Sequence, residues 1–394
     1  MTRITDLTTY VLECELDEPF AYSQAWYSSR SALLVRVTTD DNLVGWGEAY
    51  GQPSVIRSAI NSVLAPVLLG QDALASEQLW ERMYSMTRDY GQKGVILGAI
   101  SAIDIALWDI KGKVTGLPVY RLLGGGFRDA ITPYATGLYL TRGQTLEDLA
   151  DEARRYVDEG FTAVKMKVGF NLEEDTRRVH AVRQAIGQHV RLMVDANHAY
   201  PAFLAIKLGH AIEDCDVFWF EEPVAPEDLA GYLQVKAALD IPIAGGEAEF
   251  TRFGFRELLS RRAVDIVQPD LCQAGGLTEG KKIAAMAEAW FIPCFPHVWG
   301  TAVGLAAGLH FAASLPDSPA SLNATGPLLE FDRTPNPLRD RVVQTPIGLR
   351  GGVVPVPRAP GLGIEIDEGA LERYSVGGVT NVNGAAVPAR HATR

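Results

Sequence analysis

Cysteine is scarce in this chain of 394 residues: Cys14, Cys215, Cys272 and Cys294 are scattered and show no CxxC spacing. That pattern excludes a disulfide framework, and buried reduced thiols in a cytoplasmic protein are the expectation. Long apolar runs are missing as well. No uninterrupted stretch approaches the ~20 residues of a bilayer span, and Met1–Asp6 begins no apolar leader, so neither a membrane helix nor a signal peptide is expected. Positive charge is in deficit. With 36 Lys and Arg against 48 Asp and Glu the net charge is −12, which argues against nucleic acid and against anionic membrane surfaces as partners. A small anionic ligand stays compatible, because local lysines and a bound divalent cation can reverse the sign at one site.

What is present is an ordinary globular composition, 47% hydrophobic and 21% charged, on a chain long enough for more than one domain. Residues 1–48 read as a strand meander: Thr8–Leu16, Ser31–Thr39, a turn at Asp40-Asp41-Asn42, then Leu43–Glu48. Between the first two strands, the polar and aromatic stretch Glu18–Tyr27 reads as a loop. From about Val55 to Leu123 the spacing of Ala, Leu and Ile becomes helical, clearest over Ile96–Lys111, and Gly124-Gly125-Gly126 breaks it. Strands and helices in separate blocks predict an α+β domain over 1–127.

From Ile131 the grammar changes to alternation. Eight apolar, strand-like runs follow: Thr132–Thr136, Ala163–Val168, Arg191–Val194, Val217–Phe220, Ile243–Ala244, Asp265–Val267, Phe291–Phe295 and Leu328–Glu330. Helical stretches separate most of them, as at Leu146–Asp158 and Glu173–Ile186. Eight strand–helix units over 128–345 predict an α/β (β/α)8-type, TIM-like barrel, whose usual length is about 250 residues. Residues 346–372, including a strand at Pro360–Ile366, are expected to return to the N-terminal cap, and 373–394 to form a loose tail.

A polar residue stands just past nearly every run: Lys165 and Lys167, Asp195, Glu221, Glu247, Asp270, His297 and Glu330. The intervals from Asp195 onward are 26, 26, 23, 27 and 33 residues, each the length of one strand–helix–loop unit. In such a barrel the C-terminal strand ends converge on one mouth, where the chemistry takes place. Asp195, Glu221 and Glu247 come from consecutive strands, so their carboxylates can meet, and three converging carboxylates repel unless a cation neutralises them. Oxygen-only ligands select a hard ion, Mg2+ with Mn2+ as a possible substitute. Glu222 and Glu249 are neighbouring alternatives; Glu221 ends an apolar run and Glu247 follows Gly245-Gly246, which favours those two. Lys165 and Lys167, two apart in a strand, face one way, and their mutual repulsion is expected to bring a lysine pKa down toward neutral, suited to a general base. Opposite them, Asp270 can orient His297 and raise its basicity. Glu330 is expected to hydrogen-bond a substrate oxygen if protonated. Asn197, two beyond Asp195, is placed to touch a substrate, and His198, His210 and His310 are read as structural, His198 being the one of the three near the mouth.

The order Lys-x-Lys, Asp, Glu-Glu-Pro, Gly-Gly-Glu, Gln-Pro-Asp, Pro-His-Val resembles the mandelate racemase subgroup of the enolase superfamily over about residues 1–370. The resemblance implies Mg2+-assisted removal of the proton α to a carboxylate, with an enediolate held by the metal. It implies Asp195, Glu221 and Glu247 as metal ligands and Lys167 as one base. Lys165 then contacts the substrate carboxylate and depresses Lys167, His297 with Asp270 is the acid/base on the other face, and Glu330 assists. Pro296–Thr301, Leu329–Thr334 and Pro360–Ile366 are similar to the branch of that subgroup that acts on acid-sugar lactones and anhydro sugars. The polar-aromatic stretch with Tyr22, Trp26 and Arg30, together with Trp299, suits a hydroxylated ligand better than a bare phenyl ring. An acid-sugar substrate, a homo-oligomer and a cytoplasmic location are implied. Elimination and two-base racemisation remain open, because one acid/base pair serves both.

Overall fold

The computed structural model describes residues 1–317, 320–322, 324 and 326–383. The N-terminal part is a meander of β1 (Ile4–Ala21), β2 (Trp26–Thr39) and β3 (Val44–Ala49), all antiparallel. The turn at Asp40-Asp41-Asn42 is where the sequence places it, with Asn42 at φ +61°. The first hairpin is longer than expected. Glu18–Tyr27 is not a loop: pairing resumes at Phe20↔Tyr27 after a register shift, and the reversal is confined to Tyr22–Ala25, closed by a Tyr22 N–H to Ala25 C=O bond of 3.2 Å. The polar-aromatic stretch is thus a hairpin tip projecting toward the barrel.

The long helix Val95–Thr115 lies across this meander with its Ile, Leu and Ala side chains buried. Close approach is possible because Gly45 and Gly47 face it; a Cβ on Gly47 would lie 1.8 Å from the Ala102 carbonyl oxygen. Two hydrophobic clusters result, one inside the cap and one around the barrel.

The barrel strands are Pro133–Thr136, Ala163–Lys167, Arg191–Asp195, Val217–Glu221, Ile243–Gly245, Ile266–Val267 and Leu329–Asp332, all parallel, with the last beside the first. The run Phe291–Phe295 holds its place in the ring without forming a strand. It makes only single bridges, Val267↔Cys294 and Asp270↔His297, because Pro293 and Pro296 have no N–H to offer a ladder. All eight runs still contribute to one interior layer: Tyr134, Ala163, Met193, Trp219, Ala244, Ile266, Phe295 and Leu328 pack as a single cluster. Filling by one side chain per run closes the barrel floor beneath the mouth.

The C-terminal segment returns between the two parts. Val354–Pro355 pairs with Ala130–Ile131, and the Gly361 backbone exchanges bonds with Leu117 and Val119 beside the cap helix. Pro360–Ile366 is not a strand; it has isolated bridges at Gly361 and Ile366 and is otherwise held by single bonds such as Leu362 N–H to Asp109 Oδ1 at 2.8 Å. The stretch expected to be loose begins with order. Tyr374 ends the helix Glu368–Tyr374, and Thr380–Asn383 adds a strand to β1, register Asp6↔Asn383. Residues 384–394 lie outside the described residues. Among the described residues, no helix is long and apolar enough to cross a membrane.

Candidate active site

Each polar residue at the barrel mouth is delivered by the end of a strand or the turn after it. Asp195 and Glu221 are the last residues of their strands, and Glu247 follows Gly245 by two residues. One carboxylate oxygen from each of the three lies within 4.8 Å of the others. Glu221 is fully engaged: its Oε1 accepts from Lys165 Nζ at 2.5 Å, and its Oε2 from Trp219 Nε1 at 2.9 Å and Gln268 Nε2 at 2.8 Å. Asp195 accepts from Lys167 Nζ at 2.5 Å and from the Asn197 N–H at 2.9 Å. The donor set is oxygen only. Asn197 Oδ1 and both oxygens of Glu222 are buried beside the trio with no hydrogen-bond partner among the described residues. This surplus of acceptors suits a hard divalent cation.

Lys165 and Lys167 point to the same side, as the strand spacing requires. Lys165 does not line the substrate-sized cavity: it is 1% exposed and enclosed by Glu221, Glu330 at 2.9 Å and Asp195 at 3.6 Å. Burial alone would push its pKa down, but those carboxylates hold it well above the ordinary lysine value. The expected depression of Lys167 is also reversed. Burial, the largest single effect, lowers its pKa and Lys165 lowers it further, yet Asp195, Glu247 and Glu221 together outweigh both and the net shift is upward.

On the other side, His297 Nδ1 is 2.6 Å from Asp270 Oδ2, while Nε2 faces Glu247 at 3.4 Å and Glu330 at 3.7 Å. Burial works to lower the imidazole pKa, but Glu247, Glu330 and Asp270 carry it up to about 10. Glu330 is an acceptor, not a protonated donor. Burial raises it, but Lys165 and His297 pull it down to about 2, and its oxygens accept from Thr136 Oγ1 at 2.7 Å and the Val298 N–H at 3.1 Å.

These groups open onto a cavity of about 180 Å³ lined by Lys167, Asn197, His198, Glu247, Gln273, His297, Trp299 and Glu330, and roofed by Tyr22, Tyr27, Tyr50 and Tyr139. The hairpin tip is fixed there by Ser23 Oγ to the Ala196 carbonyl at 2.8 Å and Gln24 Nε2 to the Asn197 carbonyl at 3.1 Å. Of the residues expected to touch a substrate, Tyr22, Asn197 and Trp299 line this cavity. Trp26 does not: it is 47% exposed and borders a neighbouring groove. Arg30 is not a free donor either, being buried against Asp332 at 2.9 Å and 4.0 Å from the Trp299 ring centre. Sequence reasoning missed Tyr50, Tyr139 and Gln273. Tyr50 and Tyr139 stand one and three residues past strand ends, so the rule that found the charged ladder would have reached them had it included tyrosine; Gln273 lies six residues past Val267, in a turn that no strand pattern marks. His310, read as structural, lies buried between the barrel and the returning segment.

Comparison with known proteins adds to this geometry. Residues 5–124 match the family described as mandelate racemase / muconate lactonizing enzyme, N-terminal domain, and residues 148–370 match the enolase C-terminal domain-like family. The chain is 44% identical over 375 residues to a D-galactarolactone cycloisomerase of Agrobacterium fabrum, covering 94% of this chain and 98% of that protein. It superposes with a TM-score of 0.87 and 45% identity on the crystal structure of a 3,6-anhydro-D-galactonate cycloisomerase from Zobellia galactanivorans, covering 95% of this chain and 99% of that one. A racemase from Streptomyces coelicolor with bound magnesium superposes with a TM-score of 0.86 at 30% identity, covering 95% of this chain and 100% of that one.

Proposed function

The chain belongs to the mandelate racemase / muconate lactonizing enzyme family of the enolase superfamily, and from that premise we propose that it removes the proton α to the carboxylate of an acid sugar, as its lactone or anhydro form, and then eliminates the β-oxygen. The observation that carries this reading is the placement of Lys167 and His297 in one cavity with an oxygen-only acid trio at its edge. Asp195, Glu221 and Glu247 would hold a Mg2+ ion. When bound, the ion supplies positive charge for the substrate carboxylate as it gains electron density, and it draws on the Asp195 carboxylate that Lys167 also uses.

The remaining work falls to the side chains. Lys167 acts in its neutral form, which requires that the Asp195 charge now holding it protonated be drawn off; in that form it takes the α-proton, and the pair of electrons left behind forms the enediolate. As that pair moves to form the C=C bond, the C–O bond at the β-carbon breaks, and His297 gives its Nε2 proton to the departing oxygen. A ring oxygen that leaves stays on the molecule, which is cycloisomerisation; a free hydroxyl leaves as water, which is dehydration. The resulting enol takes up a proton at the former β-carbon and releases its hydroxyl proton, which gives a 2-keto acid. Asp270 fixes the imidazole so that Nε2, not Nδ1, faces the cavity. Glu330 keeps Lys165 charged and, through the Val298 N–H, holds the turn that carries His297. The four tyrosines and Trp299 enclose the reacting atoms against water, and the tyrosines offer hydroxyls to a polyhydroxy chain.

A second reading rests on the same pair: a lysine and a histidine facing one cavity also suit 1,1-proton transfer, hence racemisation. Proton NMR in D2O, with Mg2+ and a panel of aldonic and aldaric acids and their lactones, separates the two. A new methylene or 2-keto-acid signal is the expected outcome. Exchange of the α-proton without such a product would replace elimination by racemisation or epimerisation.

A further inference from the structure

Two buried charges of the cap end on the segment that carries His297, and the mechanism above uses neither. Glu48, in β3, is 2% exposed. Its oxygens accept from the Thr301 N–H at 2.7 Å, Thr301 Oγ1 at 2.6 Å and the Gly304 N–H at 2.7 Å. Those donors lie in the first turn of the helix Ala302–Ala313, where backbone N–H groups have no partner within the helix. The carboxyl oxygens of a residue from another part of the chain therefore cap the helix that begins directly after the His297 turn, although burial pushes the Glu48 pKa up to about 7.

The chain leaves room for this contact. A Cβ on Gly300 would lie 2.1 Å from Glu48 Oε1, and one on Gly304 3.0 Å from Oε2. The second charge, Arg30 of β2, supports the Trp299 ring from 4.0 Å, and Asn336 Nδ2 holds the Gly300 carbonyl at 2.8 Å. Two residues beyond Glu48, the Tyr50 ring meets the His297 ring edge-on with centres 6.1 Å apart. By contrast, the ammonium groups of Lys165 and Lys167 are paired with barrel carboxylates alone.

We propose that Glu48 is a positioning residue for His297: the cap sets the acid/base on one face of the site, while the lysine face is set by the barrel itself. The inference rests on the reading of Lys167 and His297 as the acid/base pair. On it, loosening Glu48 moves the His297 step selectively. Misplacement by about 1 Å costs up to about 100-fold in rate, so a selective loss of about ten-fold or more is expected.

The test compares Glu48→Ala, Glu48→Gln and Gly300→Ala with two references, Lys167→Ala and His297→Asn, using the panel member that the wild-type protein turns over. α-Proton exchange and product formation are followed together in D2O, as a ratio that the fraction of folded protein does not alter. Glu48→Ala and Gly300→Ala are expected to shift the ratio toward the His297→Asn pattern, with Glu48→Gln recovering part because its amide oxygen still accepts one N–H bond. A ratio equal to wild type in both variants overturns the proposal. Should the wild type turn over no panel member, the functional reading fails and amide hydrogen exchange decides the proposal by itself. Lost protection over residues 297–304 in Glu48→Ala supports it, and retained protection overturns it.

Discussion

His310 offers a sharp physical test of how the returning C-terminal segment is held. Its Nδ1 accepts from the Tyr120 N–H at 3.3 Å, and its Nε2 is 3.0 Å from the Leu362 carbonyl, which can only accept. One ring nitrogen must therefore be bare and the other protonated, so the neutral imidazole is satisfied on both sides. A second proton would have to displace the Tyr120 bond inside a site with no exposure. Burial accordingly pushes the pKa down from 6.5 to about 4, against a smaller upward pull from Leu362. Since the folded-state value is depressed, the unfolded chain binds the proton better. The stabilisation is fully present above pH 6.5 and is lost as the pH falls toward 4. At about 1.36 kcal/mol per pH unit the whole window amounts to about 3.4 kcal/mol, of which about 2 kcal/mol is gone by pH 5. His310→Gln retains a donor and an acceptor but cannot titrate. Thermal unfolding at pH 7 and pH 5 should show wild type losing about 4 °C more than the variant, at about 2 °C per kcal/mol for a domain of this size. Parallel losses in the two proteins would refute the reasoning.

Three further outcomes follow from the site. Lys167→Ala should lower turnover by about 100-fold or more, the usual contribution of a positioned acid or base, while Mg2+ binding measured by calorimetry persists. Trp26→Ala should change kcat/KM by about two-fold or less, because a half-exposed side chain outside the cavity behaves as a surface substitution within about 0.5 kcal/mol. Arg30→Met should cost about 3 kcal/mol in unfolding free energy, since it removes the nearer of two cations from the buried Asp332 carboxylate and leaves Arg339 at 3.6 Å; denaturant titration would show it, and a cost below about 1 kcal/mol would mean that Arg339, Thr334 and Asn336 satisfy Asp332 without it.

The barrel was legible because parallel strands buried on both faces leave continuous apolar runs, and because the residue after each run stands at the mouth. That one rule located Asp195, Glu221, Glu247, Asp270, His297 and Glu330 together. At the seventh run only the strand assignment failed: two prolines leave the apolar pattern intact but remove the ladder, while His297 still reaches the mouth. The hairpin tip was misread for a related reason: Glu18–Tyr27 has loop composition, yet its two ends pair, Phe20-Ala21 of β1 with Trp26-Tyr27 of β2, where Phe20, Tyr27, Tyr139 and Trp299 pack together. Direction of charge was the least legible property. The repulsion between Lys165 and Lys167 is visible from spacing, but the carboxylates that overcome it come from strands 28 and 56 residues away. Contacts such as Arg30 with Asp332 and Glu48 with Thr301 join parts of the chain that no local pattern connects.

The most direct test of the central claim follows a substrate deuterated at the α-carbon through a single turnover, with the product examined by mass and by proton NMR. If Lys167 abstracts that atom, the label passes to an ammonium group and is washed into solvent, the rate shows a primary isotope effect, and the 2-keto-acid product carries no substrate-derived deuterium. Label retained in full in the product would contradict proton abstraction at the α-carbon, and with it the roles assigned to Lys167 and His297.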